Sequence, residues 1–350
     1  TTTENLMIPT STRIVTLQAR PEPGGDPSPD MFAVEERELP TPGDGEIVLR
    51  NIAMSVDPSM RGRLDLGEKQ YTTNFQIGEP LDGSAVGQVL ASNNPDIAVG
   101  DVVRHRAGWR DHAVIDGATA YRIDADAAPV GAWLGVLGQT GFTAWAGLKR
   151  IGELHDGDTV FISAAAGAVG SAAGRFARLL GATRVVGSAG GAAKVAQLVN
   201  ELGYDDAMDY RAEDPRDGVP RIAPDGIDLY FDNVGGPHLV AALHNMSIGG
   251  RVALCGMISQ YSPDGRGQDI NHLIEAVLRR VTIRGFIVRD HEDMRPEFES
   301  TVAGWLRSGE VEALQTVTDG IDHAVEAFLG MLRGGNIGKA LVRLDTDWEV

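Results

Sequence analysis

Thr159-Val-Phe-Ile-Ser-Ala-Ala-Ala-Gly-Ala-Val-Gly-Ser171 is the stretch whose reading decides the fold. Thr159 to Ile162 form a short apolar run of strand type, and an apolar pattern of helical period follows through Phe176, Leu179 and Leu180. Strand, glycine turn and helix in this order open a dinucleotide-binding βαβ unit. The turn approximates G-x-G-x-x-G from Ala165, with alanine at the first glycine position. Gly167 stands where the backbone approaches a pyrophosphate, and Gly170 where the helix packs closely on the strand. A bound anion would sit on the helix N-terminus, at the amides of Ala168, Val169 and Gly170. An alanine-rich turn also suits a packed crossover that binds nothing, so the surrounding residues have to decide.

The second strand of the unit runs Arg184-Val-Val-Gly-Ser188 and carries no Asp or Glu at its end. An acid there would bond the ribose 2′-hydroxyl of NAD and repel a 2′-phosphate. Its absence, with Lys194 a few residues on, favours NADP(H); a solvated lysine at a helix start is the plainer reading of Lys194. Further strand patterns at Ile227-Asp-Leu-Tyr-Phe231 and Arg251-Val-Ala-Leu254 alternate with helical ones, which predicts a parallel, doubly wound α/β sheet.

Upstream the texture differs. Pro21 to Asp30 holds four prolines and reads as an exposed loop. From Phe32 to about residue 123 come short β-type runs punctuated by Pro and Gly, including Glu46-Ile-Val-Leu-Arg50 and Ala85-Val-Gly-Gln-Val-Leu90. They predict a mainly β domain, possibly barrel-like. Beyond residue 310, an amphipathic segment (Ile321 to Leu332) and a closing strand (Ala340 to Arg343) are expected to return to it. The boundaries expected are 1–130 with 310–350 for one domain and 131–309 for the other.

With 350 residues, two cores are the natural arrangement. A formal charge of −18, from 31 Lys and Arg against 49 Asp and Glu, argues against nucleic-acid and anionic membrane partners. Cys255 is the only cysteine, so neither an intramolecular disulfide nor a thiolate zinc cluster can form. No leader-type segment or membrane-spanning run is read, and a cytoplasmic location is expected.

Several stretches together resemble the zinc-independent medium-chain dehydrogenases/reductases. They are Ala164 to Ser171, Asp232-Asn-Val-Gly-Gly236, Cys255-Gly-Met-Ile-Ser-Gln-Tyr261, Gly285-Phe-Ile-Val288 and Gly335-Asn-Ile-Gly-Lys339, with Met54 to Arg63, Gly108 to Ala113 and Leu134 to Trp145. The nearest branch is the leukotriene B4 dehydrogenase, prostaglandin reductase and alkenal double-bond reductase group. The resemblance implies a GroES-like catalytic domain built from both chain ends, a Rossmann NADPH-binding domain between them, and a homodimer joined through sheet edges. It further implies that Lys194 and Tyr210 meet the 2′-phosphate and that Asn336 reaches the nicotinamide half. Ser188, Asn233, Cys255, Ser259, Phe286 and Val288 complete the cofactor contacts it implies.

Zinc-dependent members carry a Cys ligand and a Gly-His-Glu segment. The matching neighbourhoods here are Ser55-Val-Asp-Pro58 and Asp82-Gly-Ser-Ala-Val-Gly87, a donor set that does not suit tetrahedral zinc. His105 and His112 read as structural. Without a Lewis acid, hydride addition to a conjugated double bond is the easier chemistry, because it produces a delocalised enolate that hydrogen bonds can hold. Tyr261 is the candidate donor to the enolate oxygen; packing at a strand-to-loop corner is its plainer reading. Cys255 reads as an inert strand end and Asp232 as a turn former. Ser59 and Gln139, where the group usually has Tyr and often Met, are expected with Tyr261 near the cleft, leaving a roomier, more polar pocket for an enone or enal. A zinc-free quinone reductase, a noncatalytic NADPH-binding protein and an alcohol dehydrogenase are the competing readings.

Overall fold

Runs of β-branched and aromatic residues bounded by glycine and proline become strands on both sides of one change in texture. A computed structural model describes residues 8–22, 25–65, 73–260 and 272–350. The chain folds as two units, Thr1–Gly135 with Gln315–Val350, and Val136–Leu314.

The first unit begins with β1 (Ser11–Leu17), β2 (Phe32–Glu38), β3 (Glu46–Ser55), α1 (Ser59–Arg63), β4 (Ala85–Ser92), β5 (Val102–His105), β6 (His112–Asp116) and β7 (Tyr121–Arg122). β1 and β2 pair antiparallel as a ribbon. β2 alternates between more and less exposed residues, as a strand with one solvated face must. β3 is buried along nearly its whole length because it is flanked by β4 and also pairs with β6 and the chain's last strand.

The second unit runs α2 (Gln139–Ala146), β8 (Thr159–Ile162), α3 (Ala168–Leu179), β9 (Arg184–Ala189), α4 (Ala192–Asn200), β10 (Asp206–Asp209), α5 (Pro215–Ile222), β11 (Ile227–Asp232), α6 (Gly236–Asn245), β12 (Met246–Leu254), α7 (Ile274–Arg279), β13 (Thr282–Gly285) and α8 (Arg295–Ser308). Its six strands lie in the order β10-β9-β8-β11-β12-β13, every pair parallel. Counted from β8, this is the 3-2-1-4-5-6 order of a Rossmann sheet. Phe161 and Tyr230 stack at 4.9 Å between β8 and β11, in a core that includes Val186, Met208, Leu239 and Val252.

The chain then returns to the first unit with β14 (Gln315–Asp319), α9 (Ala324–Leu332) and β15 (Lys339–Arg343). A short 3₁₀ turn, Ile321–His323, precedes α9, so the expected amphipathic segment is a turn plus a helix. β15 pairs antiparallel with β3 and parallel with β14, giving the mixed sheet β14-β15-β3-β4-β5-β7. Phe328 of α9 meets Trp109 and Phe32 edge to face at 6.0 and 6.4 Å. This core is therefore assembled from both ends of the sequence. Among the described residues, no helix is long and apolar enough to cross a membrane.

α3 approaches its strand so closely that a Cβ on Gly170 would lie 2.4 Å from Ala164 O and 2.6 Å from Ala165 Cα. Both atoms are backbone, so Gly170→Ala has to push the helix away. A loss of about 1–3 kcal/mol is expected, which in thermal denaturation is a fall of roughly 2–4 °C per kcal/mol. Gly304→Ala in α8, where an added Cβ meets nothing within 4 Å, should instead stabilise by about 0.5–1 kcal/mol.

Candidate functional site

In an open parallel sheet, ligands bind beyond the carboxyl ends of the strands where the strand order reverses direction. Here that point lies between β8 and β11. Ser163 to Gly167 follow β8, Ser188 is the penultimate residue of β9, and Tyr210 follows β10. Asn233 follows β11, Cys255 follows β12, and Phe286 follows β13. The second unit thus gathers nearly all of its expected cofactor residues along one edge.

The turn after β8 is held on both sides. Ala164 takes φ +50°, the Ala165 amide donates to Ser188 O at 2.9 Å, and the Gly167 amide donates to Ala164 O at 3.0 Å. α3 starts at Ala168 with no side-chain cap, and its first backbone bond is from the Ser171 amide to Gly167 O. The amides of Ala168, Val169 and Gly170 precede that bond and form the positive end of the helix dipole. Tyr204 secures this end by donating its hydroxyl to Gly170 O at 2.8 Å, and its ring fills the space above Gly174 and Gly187.

A buried polar network joins the strand ends at the reversal point. Asp232 is fully buried, and its Oδ1 accepts from the Tyr230 hydroxyl (2.7 Å), the Ser163 hydroxyl (3.2 Å) and the amides of Val234 (2.9 Å) and Gly235 (2.7 Å). Its backbone carbonyl accepts the amides of Cys255 and Gly256. Asn233 donates its side-chain amide to Ser163 O at 2.8 Å and its backbone amide to Ser163 Oγ at 2.9 Å. Burial raises the Asp232 pKa despite these donors, and its Oδ2 has no hydrogen-bond partner among the described residues. The same burial, with the Asp232 charge, pushes the Cys255 thiol up to about 12, so Cys255 carries no thiolate near neutral pH.

Positive charge collects beyond β9 and β10. Asp209 Oδ1 accepts the amides of Gly191 (2.8 Å) and Arg211 (3.0 Å), drawing the two loops together. A Cβ on Gly190 would lie 2.8 Å from both Tyr210 Oη and Arg211 Nε, so these side chains lie over that glycine. Burial, and then the charge of Arg211, lower the pKa of half-buried Lys194. Two cations that repel one another next to a phenol form a site that an anion stabilises. Buried Ser188 Oγ, without a hydrogen-bond partner among the described residues, sits at the penultimate position of β9. His238, edge-on to Tyr210 at 5.5 Å, has its pKa pushed down to about 4 by burial and is neutral at pH 7. The helix end, close-packed glycines, acid-free β9 and paired cations fit a 2′-phosphorylated dinucleotide.

The remaining expected residues are placed as follows. Ser259 donates its hydroxyl to Val234 O at 2.6 Å. Phe286 is half-buried with its ring reaching Gly147, and Val288 is buried. Gln139 begins α2 and is exposed. In the first unit, Ser59 begins α1, and Asn336 donates its side-chain amide to Gly338 O at 2.8 Å. Tyr261 lies outside the described residues. His105 is buried, accepts the Ala107 amide at Nδ1 and has its pKa pushed down to about 3 by burial and Arg110. Among the described residues, no group of three or more His, Cys, Asp or Glu could hold a metal ion.

Sequence reasoning missed Ser163, Tyr204, Tyr230 and Arg211. Tyr230 and Asp232 are two apart on a strand and share a face, which was a readable signal. Arg211 stood beside Tyr210. Ser163 and Tyr204 had no local signature.

Residues 13–123 match the family described as the N-terminal domain of oxidoreductase, and residues 168–303 the family described as zinc-binding dehydrogenase. A 2-alkenal reductase (NADP(+)-dependent) of Nicotiana tabacum is 38% identical over 307 residues, covering 87% of this chain and 89% of that protein. The (+)-pulegone reductase of Mentha piperita is 35% identical over 319 residues, covering 89% and 91%. The crystal structure of CurA in complex with NADPH from Vibrio vulnificus superposes with a TM-score of 0.88 at 36% identity, covering 95% of this chain and 99% of that one.

Removing the Asp232 side chain leaves the amides of Val234 and Gly235 and two hydroxyls without their acceptor. Asp232→Ala should therefore cost about 3 kcal/mol or more, since each unsatisfied buried group costs roughly 1–3 kcal/mol. Asp232→Asn keeps an oxygen at the Oδ1 position and removes a charge that burial penalises, so it should cost less. Urea denaturation of both variants checks the order; equal losses would mean that Oδ1 is not the organising acceptor.

Proposed function

Since the chain belongs to the zinc-independent group of medium-chain dehydrogenases/reductases, we propose that it uses NADPH to reduce the carbon–carbon double bond of α,β-unsaturated ketones or aldehydes. The observation that carries this is the cationic pair Lys194 and Arg211 at the acid-free end of β9, in a Rossmann unit whose relatives include named alkenal and pulegone reductases. When bound, the cofactor supplies hydride to the β-carbon.

The residues of this chain do the rest. The amides at the start of α3 hold the pyrophosphate, Lys194, Arg211, Tyr210 and Ser188 hold the 2′-phosphate, and Asn336 orients the nicotinamide half. The Val136–Leu314 unit is read as the cofactor-binding domain and the other as the catalytic, GroES-like domain. Tyr261 is the proposed donor that stabilises the enolate oxygen. Support for Tyr261 is its place in the Ile-Ser-x-Tyr pattern; Ser259, two residues earlier, is held to Val234 O. Ser59 and Gln139, smaller or more polar than the usual residues of the group, admit bulkier and more polar substrates. A cytoplasmic location is part of the same reading and rests on the single cysteine.

A kinetic panel of enals, enones and quinones with NADPH tests this reading. Turnover of enals and enones, a large loss in Tyr261→Phe, and quinone reduction left intact in that variant are expected. Quinone turnover alone would make the chain a quinone reductase, and no oxidation of NADPH would make it noncatalytic. Lys194→Ala and Arg211→Ala should each weaken NADPH by about tenfold or more, the worth of a charge-assisted bond, while leaving NADH unchanged. Unchanged NADPH affinity in both would remove the 2′-phosphate assignment.

A homodimer through the sheet edge is also proposed. β13 is a terminal strand of its sheet among the described residues, and Ile248 of β12 and Val277 and Leu278 of α7 are 71%, 70% and 59% exposed. Exposed apolar residues and a terminal strand suit a second copy of the same strand. Analytical ultracentrifugation at micromolar concentration should give the dimer mass; a monomer at every concentration would rule it out.

A further inference from the structure

Lys339 has its ammonium almost fully enclosed, with 3% of the residue exposed, at the point where β15 starts. It donates to Asp57 Oδ1 and, at 3.4 Å, to Val56 O. The other carboxylate oxygen of Asp57 accepts the Ser55 hydroxyl at 2.5 Å. Burial opposes ionisation of Asp57, but the adjacent ammonium outweighs it and holds the carboxyl below its usual range. Asp57 is therefore ionised at neutral pH.

Its place in the sheet is specific. The β3–β15 ladder pairs Leu341 with Ser55, and the last backbone bond is from the Val56 amide to Ala340 O at 3.3 Å. One residue further the two chains diverge and backbone pairing has run out. From Asp57 the chain turns directly into α1, whose first turn is set by the Met60 amide donating to Asp57 O at 3.0 Å, and Ser59 is carried in that turn. Running back from Lys339, Gly338 (φ +64°) leads to Asn336, with Ile337 tied on its other side to Thr316 Oγ1 at 3.0 Å. The Lys339–Asp57 pair thus links the two diverging segments that carry Ser59 and Asn336. The aliphatic stem of Lys339 packs on Gly135, where an added Cβ would lie 3.3 Å from Lys339 Cβ, so the lysine has little freedom.

An apolar pair of similar volume would fill this space at no greater cost, because enclosed charges give up hydration that their attraction only partly returns. What a charged, hydrogen-bonded pair adds is a defined separation between two chains. We propose that Lys339 and Asp57 are positioning residues for the reduction: they set Ser59 and Asn336 in register with one another. This rests on the reading that Ser59 and Asn336 face the reactants.

The test compares Lys339→Met, Lys339→Arg and Asp57→Asn with Ser59→Ala and Asn336→Ala, singly and with Lys339→Met combined with each of the last two. Crotonaldehyde and NADPH are the substrates, and thermal midpoints are recorded in parallel. Misplaced reacting groups cost about tenfold to hundredfold in rate, so Lys339→Met and Asp57→Asn should lower kcat by that order with a smaller effect on KM, and Lys339→Arg should recover part of it. The preference for NADPH over NADH, set at Lys194 and Arg211, should stay. In the Ser59→Ala and Asn336→Ala backgrounds, the loss from Lys339→Met should shrink, because the groups it positions are already gone. Should Lys339→Met fail to fold, Asp57→Asn takes its place in the cycles.

A loss that adds fully in both backgrounds, or that follows only the fall in thermal midpoint, overturns the positioning role. Single Ser59→Ala and Asn336→Ala variants with wild-type kcat and KM overturn the assignment of those residues, and with it the premise of the proposal. The two failures are therefore distinct.

Discussion

One carboxylate oxygen, Asp232 Oδ1, is the acceptor on which the edge of the Rossmann sheet is organised. Two hydroxyls and two amides converge on it from the end of β8, from β11 and from the turn that follows, while the same residue's carbonyl receives the chain leaving β12. Parallel strands have no hairpins to fix the height at which each one stops, so the level of their ends has to be set by other bonds. Asp232 sets it for three neighbouring strands at the reversal point, for β8 and β11 through Oδ1 and for β12 through its backbone carbonyl. The burial that makes the network rigid also raises the Asp232 pKa and keeps the Cys255 thiol protonated.

Close approach is the second constraint. The N-terminal end of α3 comes within backbone contact of the β8 turn, and only glycine at position 170 allows this. Tyr204 makes the approach permanent by bonding to the carbonyl of that same glycine. Rigid packing of this kind removes the ordering cost that a flexible turn carries on binding any ligand. Burial raises the Tyr204 pKa, so its hydroxyl remains a donor across the physiological range.

The electrostatics are local. A chain with a formal charge of −18 repels anions at a distance, yet Lys194 and Arg211 are close enough for one to lower the pKa of the other. Two cations near enough to interact outweigh, locally, a distributed negative field that salt screens over about 8–10 Å. His238, neutral at pH 7 because it is buried, adds shape beside Tyr210 and no charge. The first unit uses charge differently: its enclosed Arg61 and Arg63 are each paired with a carboxylate and with backbone carbonyls, which ties loops to α1.

Much of this was legible along the chain because the signals are local. A strand, a glycine turn and a helix appear within thirteen consecutive residues, Thr159 to Ser171, and the missing acid at the end of β9 is a matter of reading one position. Glycine spacing and the alternation of strand and helix therefore determined the parallel sheet and its preference for a phosphorylated dinucleotide, since each depends on backbone sterics or on a single nearby charge. The tertiary structure alone decided which polar groups meet. Ser163 and Asn233 are 70 residues apart, and Asp57 and Lys339 are 282 apart. Only the pairing of distant strands brings such groups within hydrogen-bond reach, and no periodicity in the sequence records which strand will lie beside which.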